Sequence, residues 1–154
     1  MRIKAKEMLP QTVTIVNRLK GEDNDTGRDI FYKKILKNCV WMGKQIGSRN
    51  GNEIAYTEGY QVHIPADQEY TYFEYNIWKN KENLDDCFTL SLDDYVILGD
   101  VPEEITSANV TKIIKKYKPN AFQIRQFQDL TMPGIKTNGN FLLNYASMYY
   151  VEGV

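Results

Sequence analysis

Residues 11–19 read QTVTIVNRL, and the fold class turns on how that stretch is read. Val13 and Ile15 fall on one parity, Thr12 and Thr14 on the other. Side chains alternate across a strand with a period of two, so this is a strand with one apolar and one polar face. The same pattern recurs along the chain. Tyr60, Val62 and Ile64 alternate with Gln61 and His63, and Pro65, which cannot donate to a ladder, ends that run. In CFTLSL, residues 87–92, Phe88, Leu90 and Leu92 share a face. Asp93-Asp94 makes a turn, and Tyr95 to Leu98 is a continuous apolar strand that stops at Gly99. Phe122 and Ile124 alternate with Gln123 and Arg125, and Tyr145 to Val151 supplies a last strand. From Asp29 to about Lys44 the parity changes midway: Ile30, Tyr32 and Leu36 share one phase, Phe31, Ile35, Cys39 and Trp41 the other. A bulge or bend near Lys37-Asn38 reconciles the two halves. With the first strand this makes a long N-terminal hairpin, whose tip is the turn-rich loop from Gly21 to Gly27.

One segment follows the helical period instead. Val110, Ile113, Ile114 and Tyr117 keep the i, i+3, i+4, i+7 spacing, which predicts a helix over about 107–117. Thr106 or Ser107 is placed to cap its start, lysines crowd its last turns, and Pro119 follows its end. Residues 69–80, EYTYFEYNIWKN, suit a strand or a short helix. Residues 47–59 and 131–144 read as loops, and 1–8 as a short leader. The expected architecture is a single domain over residues 1–154, mainly β. It is a small barrel or sandwich of six to eight strands with one helix packed on it.

Composition narrows the function classes. At 154 residues, 42% hydrophobic and 25% charged, the chain has the make-up of an ordinary globular domain. A net charge of −1 argues against bulk electrostatic binding of nucleic acid. No run approaches the length of a membrane helix, so no membrane partner is expected. Cys39 and Cys87 lack metal-ligand spacing and read as two reduced, buried thiols, with a single disulfide between them as the alternative. A catalytic triad would have to use the single histidine, His63, which lies on the polar parity of its strand. Nucleophile-elbow, phosphate-loop and dinucleotide glycine patterns are absent. The run Asp23-Asn24-Asp25-Thr26-Gly27 resembles a calcium loop only at its start: Arg28 stands where the turn glycine belongs and Lys34 where the bidentate glutamate belongs. A non-enzymatic protein without a cofactor or metal is the expectation.

Charge is segregated along the chain. Residues 82–104 hold eight acids (Glu82, Asp85, Asp86, Asp93, Asp94, Asp100, Glu103, Glu104) and no Lys or Arg. Residues 105–128 hold Lys112, Lys115, Lys116, Lys118 and Arg125 and no acid. The plain reading is a solvated helix face beside soluble turns. The sharper reading is a complementary pair of patches through which one copy meets the next, a heterologous contact that closes into a ring. Its candidate residues are Lys112, Lys115, Lys116 and Lys118 on one side and Asp85, Asp86, Asp93 and Asp94 on the other, with Trp78 beside them. A basic helix also suits a localised, non-specific contact to DNA phosphate.

Several of these segments resemble the small head–tail connector (head-completion, minor capsid) proteins of tailed phages and prophages. The opening MLPQTVTIV of residues 8–16 is similar to their start, and Asn38-Cys-Val-Trp41 to the end of their second strand. Val62-His-Ile-Pro65 resembles their third strand, Phe88 to Gly99 their hairpin ending in glycine, and Tyr149-Tyr-Val-Glu-Gly153 their final strand. The pieces are short, and they occur in the expected order over most of the chain. The resemblance implies a β-barrel and a homo-oligomeric ring in the neck, with portal, adaptor or tail proteins of the same virion as partners. It implies a virion protein assembled in the bacterial host cytoplasm, with no catalytic residues. It covers stoppers, adaptors and tail terminators alike. The other reading is a small-ligand or carbohydrate-binding β module that uses the aromatics of residues 70–78 as stacking platforms.

Overall fold

A computed structural model describes residues 10–51, 53–131 and 148–154, with backbone and register alone over 44–50 and 53–58. The expected leader at 1–8 and most of the expected loop at 131–144 lie outside the described residues. Eight strands and two helices follow in chain order: β1 Gln11–Leu19, β2 Ile30–Asn50, β3 Glu53–Pro65, β4 Thr71–Tyr72, α1 Tyr75–Trp78, β5 Cys87–Phe88, β6 Tyr95–Leu98, α2 Val110–Tyr117, β7 Ala121–Asp129 and β8 Met148–Gly153. Six strands close into a barrel in the order β1-β2-β3-β8-β7-β6, with every neighbouring pair antiparallel. The expected alternatives of barrel and sandwich thus resolve to a barrel.

The parity read from the sequence sets the interior. Val13, Ile15, Leu36, Cys39, Val62, Ile64, Val96, Phe122, Ile124 and Val151 form one buried cluster, joined by Phe88 of β5 and Leu90 just after it. The barrel is therefore filled by its own side chains, as small barrels are. The bulge expected near Lys37-Asn38 is present. Asn38 has φ +62, and the β1–β2 register slips between Gln11↔Cys39 and Val13↔Leu36. β8 and β7 approach so closely that a Cβ on Gly153 would lie 1.9 Å from the Gln123 carbonyl oxygen, so only glycine fits there.

β1 departs from its expected two-faced character. Thr14 and Asn17 are as buried as Val13 and Ile15. The connection leaving β6 folds over the outside of β1, where Val101 and Ile105 join Val16, Ile97 and the apolar face of α2 in a second cluster. The Thr14 hydroxyl donates to the Gly99 carbonyl at 2.7 Å and accepts from the Val101 amide at 3.1 Å, which satisfies it within the protein. Lys33 holds the same connection by donating to the Val101 carbonyl, 2.7 Å, and the Glu103 carbonyl, 3.1 Å.

The undecided aromatic segment contains both elements. Thr71–Tyr72 is a short strand parallel to β5, and Tyr75–Trp78 is one helical turn. The run expected as a strand over 87–92 is shorter: only Cys87–Phe88 pairs, and Leu92 is exposed rather than facing inward with Phe88 and Leu90. The helix begins at Val110, so Thr106 and Ser107 do not flank it. Asn109 does, with its side chain turned back to accept from the Thr106 amide and donate to the Glu104 carbonyl. Among the described residues no helix is long and apolar enough to cross a membrane.

Candidate assembly surface

α2 buries Val110, Ile113 and Ile114 against the barrel and leaves Lys112, Lys115, Lys116 and Lys118 on its exposed side. Lysines in the last turn of a helix also complement its dipole. Their electrostatic roles then diverge. Lys116 is engaged within the chain, donating to the Glu103 carboxylate, which also accepts from the Tyr117 hydroxyl at 2.7 Å. The hydrogen bond from Lys116, then that from Tyr117, holds the Glu103 carboxyl down at about 2, and Glu103 in turn raises the Lys116 ammonium. Lys112, Lys115 and Lys118 have no ion-pair partner among the described residues. Lys115 and Lys118 line a recess of about 260 Å³ between α2 and β7, together with Arg125. Arg125 sits where the β7–β8 register slips between Ile124 and Gln126, and it pairs with Asp93 at 3.1 Å. A bulge of this kind re-aims the side chain it carries.

The acidic candidates separate as well. Asp85 and Asp86 are exposed on the single 3-10 turn Leu84–Asp86, where the Asn83 side chain accepts from the Asp85 amide and donates to Asp86. Asp85 lines a second recess with Lys34, a buried lysine whose ammonium lies 5.6 Å from the centre of the Tyr70 ring. Burial lowers the Lys34 pKa, and the Asp85 charge opposes that. Asp93 is committed to Arg125. Asp94 is 1% exposed and serves the core rather than a surface. Its carboxylate accepts from the Asn17 side chain, 3.0 Å, the Arg18 amide, 3.1 Å, and the Ser91 amide, 3.1 Å. Burial carries its pKa up to about 7 against the pull of these donors.

Trp78 is also corrected. It is fully buried, packed edge-on against Tyr32 and beside Leu19 and Cys87, so it offers no face to a partner or a sugar. Of the neighbouring aromatics, Tyr72 stacks within the barrel cluster on Tyr149 and Phe88, and Tyr75 packs on Trp78. The Tyr75 hydroxyl donates to Asp23 at 2.6 Å, and Lys79 pairs with the same carboxylate at 3.2 Å. The loop considered for calcium is thus tied to α1 through its first acid.

The largest feature that sequence reading missed is a two-stranded arm. Residues 47–59 read as a loop, yet β2 and β3 stay paired without a break from Val40↔His63 to Asn50↔Glu53. β1 pairs β2 only as far as Cys39, and β8 pairs β3 only from Tyr60 to Pro65. Residues 44–50 and 53–59 therefore pair with each other and, among the described residues, with no other strand. At the usual rise they extend roughly 20 Å beyond the barrel ladder. The signal was the sequence Gly51-Asn52, a dipeptide that favours a two-residue hairpin connection, with Gly51 at φ +65.

Against known proteins, the model of a family of unknown function (DUF6751) matches residues 8–138. No curated protein and no solved structure matches the chain.

Proposed function

The chain belongs to DUF6751, a family of unknown function, and we propose, on grounds of its own shape and charge, that it is a structural protein of the phage or prophage head–tail junction, assembling as a ring of copies between portal and tail. The observation that carries this reading is the arm projecting from a barrel already filled by its own side chains. A filled barrel leaves little interior for a ligand, so its exterior is where function is sought. A lone two-stranded ribbon with both edges open is marginal in water and invites pairing with another chain. The free lysines on α2 and the exposed acids of the Leu84–Asp86 turn supply opposite charges for the same purpose, and the ordered resemblance to connector proteins supports the neck location.

Native mass spectrometry and negative-stain electron microscopy of the full chain at high concentration test the reading. Rings, or particles bound to portal or tail proteins, are expected. A strict monomer with no affinity for either would overturn it.

A further inference from the structure

We propose that each β2–β3 arm is completed by the arms of two neighbouring copies, the β2 edge of one pairing antiparallel with the β3 edge of the next. The proposal rests on the ring reading and names its contact. Within a hydrogen-bonded pair, alternate residues of each strand turn their amide and carbonyl groups outward. Over residues 44–50 and 53–59 those outward groups have no ladder partner among the described residues on either side. Two of the usual protections of an open edge are missing too: the register runs without a bulge from Val40↔His63 to Asn50↔Glu53, and residues 44–59 contain no proline.

The sequence of the two limbs selects among partners. The β2 limb, KQIGSRN at 44–50, carries Lys44 and Arg49 and no acid. The β3 limb, EIAYTEG at 53–59, carries Glu53 and Glu58 and no base. Pairing β2 with β2, or β3 with β3, sets like charges side by side, whereas β2 with β3 sets opposite ones, and directly opposed like charges are destabilising in a sheet. Chain direction agrees. β2 and β3 run oppositely, so a β2 edge beside a neighbour's β3 edge is antiparallel when all arms point the same way. That contact is heterologous and repeats around an axis until it closes. A two-fold contact would turn the arms in opposite directions and end at a dimer.

The test uses the full-length chain with charge variants confined to the arm, followed by analytical ultracentrifugation at low salt. K44E/R49E makes both limbs acidic, and E53K/E58K makes both basic. Each alone should need about tenfold more protein for half-assembly. Their equimolar mixture should assemble as the wild type does, as should the fourfold variant that exchanges the two signs. A shortened arm, with residues 45–58 replaced by Asn-Gly, should keep the far-UV spectrum of a folded barrel and remain monomeric. If that variant does not fold, the charge variants still decide. Wild-type-like rings from the shortened arm, or from each charge variant alone, would overturn the arm contact while leaving the ring standing. A wild type that stays monomeric and binds neither portal nor tail proteins would overturn both.

Discussion

β1 and the β2–β3 arm are both strands of one sheet system, and they sit at opposite extremes of it. Val13 to Val16 are buried on both faces and paired on both edges, to β2 and to β6. The arm has no second ladder on either edge among the described residues. Strand geometry is common to the two, so the difference lies in what arrives to pair with it and, in β1, to cover it. Thr14 and Asn17 are polar, yet they are among the most buried residues, because the segments from Thr89 to Val101 close over them and satisfy every polar atom they bring. Stability in this protein belongs to strands paired on both edges, and availability to strands with one edge open.

Hydrogen exchange puts that contrast to its most sensitive test. In the monomer, amides of residues 44–58 should exchange at least about a thousandfold faster than those of β1, because opening the arm does not require opening the barrel. Equal protection in dilute monomer would abolish the distinction, and protection appearing only on assembly would sharpen it. Among substitutions, Phe122→Ala should cost about 3–5 kcal/mol in urea unfolding, since Phe122 is fully buried and packs against Trp41. A loss below about 1 kcal/mol would mean that the barrel interior is not what holds the fold.

Asn17→Ala should follow at about 1–3 kcal/mol. It removes the acceptor for the Thr89 amide and a donor to both the Thr89 carbonyl and Asp94. Asn17→Asp, which keeps the acceptor but sets a second carboxylate beside Asp94, should be no better tolerated.

The smallest expected effect is a pH slope. The Asp94 pKa rises from 3.8 to about 7 on folding, so between those values the native state binds more protons than the unfolded chain. This group's contribution is therefore greatest on the acid side and declines as pH rises through that window. Glu103 acts in the opposite sense, with its contribution present above its ordinary pKa and lost as pH falls toward about 2. The difference in Tm between wild type and Asp94→Asn, followed from pH 4 to 7, should change in the direction that relatively favours the variant at higher pH. A constant difference would show that Asp94 stays ionised throughout.

Much of the barrel was legible because its information is local. The parity of Val13 and Ile15, the phase change at Asn38 and the stop at Pro65 each depend on residues a few positions apart. What escaped depends on distant partners. The cover on Thr14 comes from Gly99 and Val101, and no window around residue 14 contains it. The candidate interface suffered most from this. Acidic and basic stretches that are separate in sequence fold back on each other, Glu103 onto Lys116 and Asp93 onto Arg125. Charges that looked complementary between copies are partly neutralised within one. The arm was hidden for another reason: its limbs carry Gly47, Ser48, Asn50, Glu53, Glu58 and Gly59, residue types with weak strand propensity.

The position of β8 has a consequence for the order of events during synthesis. β8 lies between β3 and β7, so the barrel lacks one stave until residues 148–153 have left the ribosome. Until then β3 and β7 each present a vacant edge, and the long sequence separation between β3 and β8 makes closure a slow step. A nascent chain of this kind is exposed to the wrong neighbour until it closes. Translation rate and chaperone access over the codons for residues 148–153 should then govern how much protein reaches the closed form.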